Sequence, residues 1–325
     1  MPITMEDPHV SLHRCPTYEA EILRPALETL LAPWGGMGHW VKLGDRVLLK
    51  PNLLTGSRPT KECTTRPELV EQVARLVLDC GGRPFLGDSP AFGTAAGVAR
   101  ANGLGEVAER LGMPILEFRS RRYATGAENF RHLRLSREAL EADVVINLPK
   151  VKSHVQLTVT LGVKNLFGCV PGKMKAWWHL EAGKDADRFG EMLVETARAI
   201  APELTIVDGI WGHEGNGPSG GEPRFLGILG ASDHLFALDR AWVTLLGIDD
   251  QAVPTLRAAQ RLGLDVPVSE ITFPLCTPAE LQVADWRLPD QMMPIDFALP
   301  RVVRSTVKHL YIRLIREPLQ VYSHR

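Results

Sequence analysis

The sequence predicts an α/β fold: a doubly wound, mostly parallel sheet made of βαβ units, with an irregular C-terminal extension. Three observations predict it. Short apolar runs at 45–50, 83–87, 143–147 and 205–207 read as buried strands. Segments with helical spacing separate them at lengths suited to parallel crossovers. The predicted strands also end alike, in Lys50-Pro51-Asn52, Asp88-Ser89, Asn147 and Asp208-Gly209. Open α/β sheets bind ligands at that carboxyl edge.

In chain order, the first helix is expected over 18–31, where Ile22, Leu23, Ala26, Leu27, Leu30 and Leu31 form one face. Pro33 and Gly35-Gly36 stop it. Ahead of it, His9, His13 and Cys15 read as a loosely ordered tail in preference to a small metal site. The strand 45–50 closes at Pro51. Thr65 and Glu68 have capping-box spacing with Pro67 in the first turn. A helix then runs through Leu69, Val70, Val73, Leu76 and Val77 to Gly81-Gly82. After strand 83–87 come a small-residue helix at 94–111, a strand at 114–118, and a charged stretch at 121–134 that reads as loop with one short strand. Residues 155–168 are ambiguous. Thr158, Thr160 and their apolar neighbours alternate like a strand, whereas Ser153, Gln156 and Gly168 supply helix caps; the helix is preferred.

Residues 171–187 carry Lys173, Lys175, Trp177, Trp178, His179 and Lys184 and read as an exposed loop or lid. A helix at 189–200, strands at 205–207 and 225–229, a helix at 233–246 capped by Ser232, and a helix at 253–262 follow. The expected division is an N-terminal segment (1–44), an α/β core (45–250) and an extension packed on that core (251–325).

Composition narrows the function classes. The chain has 325 residues, 45% hydrophobic and 23% charged, with a net charge of −1, so no overall field favours nucleic acid or an anionic membrane. No apolar run is long enough for a membrane span, and the polar N-terminus is no secretory signal. A cytoplasmic location is expected, and a homo-oligomer is compatible with the composition. Five scattered cysteines without a C-x-x-C imply reduced thiols and no iron–sulfur cluster ligated by this chain alone.

The densest chemistry lies in 147–168, N-L-P-K-V-K-S-H-V-Q-L-T-V-T-L-G-V-K-N-L-F-G. Lys150, Lys152, His154 and Lys164 follow a core strand, where desolvated cations require a polar or negative counterpart. With Lys50 and Arg66 they suggest a carboxylate or phosphate ligand, and Asn52, Thr65, Ser89, Asn147 and Asn165 are the candidate polar contacts. His154 titrates near neutrality and is the acid–base candidate, with Lys152 and Lys164 beside it. His179 and His213 are weaker. Asp88, Asp208 and Glu214, with Asp239, either balance these cations or hold a divalent metal ion through oxygen. Gly215, Gly217 and Gly220 match G-x-G-x-x-G but precede a strand, so the dinucleotide-binding mechanics are missing. Neither an ATPase-type phosphate loop nor a nucleophile elbow is present.

Seven segments, L-L-K-P-N (48–52), T-T-R-P-E-L-V (64–70), G-D-S-P (87–90), N-L-P-K-V-K-S-H (147–154), G-V-K-N-L-F-G (162–168), V-D-G-I (207–210) and E-G-N-G-P-S-G-G (214–221), together resemble the domain of unknown function 362 family, in the family's order. That resemblance implies no activity. Many members carry ferredoxin-like cysteine motifs; this sequence has none, so an iron–sulfur role is not carried over. A more distant similarity to the lactate-racemase-type N-terminal domain rests on T-R-P and the Lys/His pattern and brings no nickel cofactor with it.

The expectation is an enzyme acting on a small anionic molecule by Lys/His acid–base chemistry, isomerase- or lyase-like, with metal assistance as an option. The alternatives are a redox protein served by a partner or a bound electron carrier, and a non-catalytic binding module that docks through 173–184.

Overall fold

In the computed structural model, residues 8–172, 175, 178, 181 and 185–295 are described. The first half of the chain forms β1 (Ser11–Arg14), α1 (Ala20–Leu31), β2 (Arg46–Pro51), α2 (Pro67–Asp79), β3 (Arg83–Gly87), α3 (Ala95–Ala101), α4 (Leu104–Arg110), β4 (Ile115–Leu116), β5 (Ser120–Ala124) and β6 (His132–Ser136). Then come α5 (Arg137–Leu140), β7 (Val144–Leu148), β8 (Lys150–His154), β9 (Thr158–Thr160), α6 (Gly162–Asn165) with a 3-10 turn Leu166–Cys169, α7 (Ala186–Ile200), β10 (Leu204–Glu214), β11 (Glu222–Ser232), α8 (Leu235–Leu245) and α9 (Pro254–Arg261).

The main sheet runs β1-β11-β10-β7-β2-β3-β4. From β10 to β4 the neighbours are parallel, while β11 and β1 add an antiparallel margin. Strand alternation explains the two covered faces. Val47, Leu49, Ile146 and Leu148 pack with α1 and α2 through Leu27, Leu30, Leu69 and Val73. Leu48 and Val145 pack the other way, with Phe189, Met192 and Leu193 of α7. Helices on both faces make the sheet doubly wound, and every residue of β7 is buried, as a central parallel strand requires. A third cluster surrounds the fully buried Trp242 of α8, between β10, β11 and the segment that carries Ile271 and Trp286. No helix among the described residues is long and apolar enough to cross a membrane.

Several local expectations need correction. The segment with His9, His13 and Cys15 is not a loose tail: β1 pairs with β11, Cys15 is fully buried, and His9 bridges Thr272. The capping box at Thr65 is not formed. Arg66 is the N-cap residue, and the Thr65 hydroxyl donates to the Leu148 carbonyl (2.7 Å) and accepts from Asn52 N (2.8 Å). Residues 155–168 are not one helix. Lys150–His154 is itself a strand that turns back through β9, and only one helical turn follows. The Ser153 hydroxyl caps nothing; it donates to the Arg287 carbonyl (2.8 Å). The helix expected over 94–111 breaks at Gly103, whose φ is 82°. Residues 120–136 form a hairpin, β5 against β6. Ser232 is replaced as helix cap by His234, whose Nδ1 accepts from Ala237 N. Both β10 and β11 extend to 11 residues, so Asp208 lies within β10. The lid reading of 171–187 falls largely outside the described residues, Lys173, Trp177, His179 and Lys184 among them.

Candidate functional site

The parallel strands β2, β3 and β7 stop at Pro51, Gly87 and Leu148, and the candidate residues gather beyond them. Lys50 is fully buried. Its Nζ lies 3.1 Å from Asp88 Oδ1 and donates to the Pro51 carbonyl (2.8 Å). Asp88 also accepts from the backbone N–H groups of Leu53 and Ser89, both at 2.8 Å. Gly168 explains how the pair fits. A Cβ there would collide with the Asp88 carboxylate and lie 2.6 Å from Lys50 Cε, so only glycine lets this backbone close over the pair.

A second charged group forms where β8, following β7 after Pro149, pairs with β10, Lys150 opposite Asp208. Lys150 Nζ donates to Glu62 Oε2 (2.8 Å), Tyr18 Oη (3.0 Å) and Asp208 Oδ2 (3.2 Å). Tyr18 in turn donates to Asp208 Oδ1 at 2.5 Å. Arg66 pairs with Glu62 and Glu68, both at 3.0 Å, and its guanidinium stacks 4.7 Å over the Tyr18 ring. Burial raises the Glu62 carboxyl against the pull of Lys150, and raises the Tyr18 phenol well above its ordinary value. Lys150 and Arg66, expected to meet a ligand, are therefore committed to protein carboxylates. Tyr18 and Glu62 escaped the sequence reading. Glu62 had one local signal, its i,i+4 spacing to Arg66; Tyr18 had none, since its partners lie 132 and 190 residues away.

Three asparagines link the strands head to tail. Asn52 Nδ2 donates to Asn165 Oδ1 and Asn165 Nδ2 to Asn147 Oδ1, both at 2.8 Å, and Asn147 Nδ2 reaches the Gly162 carbonyl (3.1 Å). The near end of the chain, Asn52 Oδ1, accepts from Lys152 Nζ (2.8 Å). Asn52, Asn147, Asn165 and Thr65 thus bind one another and the backbone, and they hold β2, β7, β8 and α6 in register. Asp239 completes α6 from outside, accepting from Gly162 N (2.7 Å) and Val163 N (3.0 Å). Burial lifts its carboxyl to about 7, against the pull of those two donors.

Lys152, Lys164 and Lys175 differ from the paired cations. Lys152 is buried and donates only to neutral oxygens, Asn52 Oδ1 and the Cys63 carbonyl (2.7 Å). Burial, with Lys50 and Lys150 nearby, brings it down to about 7. Lys175 donates to the Ser89 carbonyl and is lowered to about 8, mainly by burial. Lys164 is half-buried and makes no hydrogen bond to another described residue; its ammonium lies 4.8 Å over the Phe167 ring. Burial first, then Lys175, Lys152 and Lys50, lowers it to about 7. The three are electrostatic neighbours, and none has a carboxylate within ion-pair distance among the described residues.

The histidines divide differently from expectation. His154 lies on the same face of β8 as Lys150 and Lys152, and its Nδ1 accepts from Gln156 N (3.1 Å), so its ring proton sits on Nε2. His213 pairs with Lys152 across β10 and β8. Its Nε2 accepts from Gly221 N (3.0 Å), which leaves Nδ1–H to donate to the Lys61 carbonyl (3.0 Å). Burial and Lys152 lower its pKa, so the neutral ring is a structural clamp. The expected metal set does not converge: Asp88 serves Lys50, Asp208 serves Tyr18 and Lys150, and Glu214 binds Arg287 Nε (2.7 Å). No group of three or more metal-capable side chains occurs among the described residues. Ser89 lies at the site, but its hydroxyl is taken by Gly172 N (3.0 Å). A recess of about 440 Å³ lined by Arg46, Arg83, Phe85, Leu111 and Met113 opens at the other end of β2 and β3, away from the lysines.

Residues 47–244, more than half of the chain, match the family described as "Domain of unknown function (DUF362)". The chain is also similar to the thylakoid-associated protein sll1697 of Synechocystis sp., with 63% identity over 314 residues, which cover 97% of this chain and 98% of that protein.

Proposed function

The chain belongs to the domain of unknown function (DUF362) family, whose description names no activity, and we propose from its site residues that it is an enzyme acting on a small anionic molecule by Lys/His acid–base chemistry. One observation carries the reading: Lys152, Lys164 and Lys175 sit together beyond the strand ends with no carboxylate partner among the described residues, while every other cation of the site is paired. A cluster of cations so desolvated favours an anion that would supply the missing charge. The lysines near neutrality then exchange protons at little cost, and His154, on the same strand as Lys152, is the second proton carrier. Proton transfer beside a carboxylate or carbonyl, as in an isomerase or lyase, suits this set.

Binding an anion must raise the lowered lysine pKa values and draw protons from solution. Calorimetric titration with phosphate and with pyruvate in buffers of different ionisation enthalpy should therefore record proton uptake near pH 7. Heats independent of the buffer, or no binding of either anion, would overturn the reading. Native mass spectrometry of freshly purified protein should in parallel retain an anionic ligand.

A second reading is a redox protein served by a partner's electron carrier. The name of the similar Synechocystis protein, which associates it with thylakoids, favours it. A visible absorption band after anaerobic purification would support it, and a colourless protein would count against it. The cytoplasmic location belongs to the first reading; cell fractionation that recovers the chain with membranes would favour the second.

A further inference from the structure

We propose that Lys164 is the nucleophile of this site and forms an imine with the carbonyl carbon of a small 2-oxo acid, whose carboxylate rests between Lys152 and Lys175. The inference rests on the anionic-substrate reading and adds to it the substrate class and the covalent step.

Availability singles out Lys164. The other cations of the site are engaged: Lys50 by Asp88, Lys150 by Glu62 and Asp208, Arg66 by Glu62 and Glu68, Lys152 by Asn52 and the Cys63 carbonyl, and Lys175 by the Ser89 carbonyl. Lys164 alone among them donates to no described residue, and it is half-buried where Lys50, Lys150 and Lys152 are fully enclosed. Its position is nevertheless held. The Asp239 carboxylate fixes the start of α6, Asn147 holds the next residue, Asn165, and the Phe167 ring lies beneath the ammonium. The same ring lies 5.7 Å from Lys175 Nζ, so the two amines share one apolar support. An amine set among cations on an apolar surface loses its proton readily, the condition that activates lysine nucleophiles. Lys164, at about 7, is largely available in the neutral form at physiological pH.

The step balances without a cofactor. Neutral Nζ attacks the carbonyl carbon to form a C–N bond. One proton passes from Nζ to the carbinolamine oxygen and a second comes from solvent, water leaves as the C–O bond breaks, and a protonated imine remains. The iminium withdraws electrons from the adjacent C–H bond and so acidifies it, which is what an isomerase or lyase step requires. The lysines that lower the Lys164 pKa also neutralise the carboxylate, so one cluster serves binding and activation.

The experiment uses the full chain, pyruvate and sodium borohydride, which reduces an imine to a stable carboxyethyl-lysine. Peptide mapping by mass spectrometry should place the adduct on Lys164. It should disappear in Lys164→Arg, which keeps the charge but cannot form the imine, and a thermal melt matching that of the unsubstituted chain should accompany the loss. Phosphate should slow the trapping. Adducts spread over exposed lysines such as Lys42 and Lys61 without enrichment at Lys164 would overturn the proposal. Pyruvate that shields Lys164 and Lys175 from acetic anhydride yet yields no reduced adduct would refute the imine while leaving anion binding in place. Neither shielding nor adduct, with phosphate equally inert, would remove both readings.

Discussion

At the scale of single residues, position 168 must be glycine because an ion pair occupies the space a side chain would need. Gly168→Ala drives a methyl group into Asp88 and Lys50, whose charges cannot move to water. Overpacking of this kind costs about 1–3 kcal/mol, and urea unfolding should show a loss in that range. Lys164 makes the opposite case. Its pKa is lowered from 10.5 to about 7 on folding. Between those values the unfolded chain binds the proton and the folded chain does not, so stability from this group is full above 10.5 and is lost as pH falls towards 7. Lys164→Met should thus raise the thermal midpoint at pH 7, and the gain should shrink as pH approaches 10. A gain that grows with pH would contradict the assignment.

At the scale of elements, α6 is a single turn that depends on a distant carboxylate. Asp239→Ala leaves Gly162 N and Val163 N without their acceptor, at a cost of about 1–3 kcal/mol. Hydrogen exchange should accelerate at those two amides before it does so in β7. On the same face of the sheet, Gly209 and Gly230 give up their side chains to make room for Trp242, which shares a helix with Asp239. Trp242→Ala empties that space and should destabilise by about 3–5 kcal/mol in denaturant titration. Legibility differed between elements for a physical reason. β2, β3 and β7 are apolar runs whose burial is written in their own residues. β8 is K-V-K-S-H, a strand every residue of which is buried, and no local pattern announces it. Its lysines are enclosed only because Glu62, Asp208, Asn52 and the Cys63 carbonyl arrive from other segments. β1 failed for a related reason: four residues at a sheet margin are too short to show a period.

At the scale of the whole molecule, the carboxyl edge of the parallel sheet was readable and did assemble Lys50, Asp88, Asn147, Lys152 and Lys164. What the sequence could not convey was the division of labour among them. Pairing depends on partners 58 to 132 residues apart, as for Lys150. Five cations of similar appearance therefore separated into three that balance carboxylates and two left without one. The same long range joins the chain's margins to its centre: β1 seals β11, and Arg287 closes on Glu214.

Tyr18 lies before the first residue of the family match at 47, yet it donates to Asp208 and receives from Lys150 in the middle of the sheet. The region that defines kinship is accordingly not a region that can be excised. A fragment of residues 45–250 would leave a buried aspartate and lysine short of one partner and bare the edge of β11, an open template for pairing with another chain. Such a fragment should self-associate on size-exclusion chromatography and lack a cooperative melt, where the full chain should give one. Ancestry and autonomy draw their boundaries at different places in this protein, and a single phenol, far from the motifs, marks the distance between them.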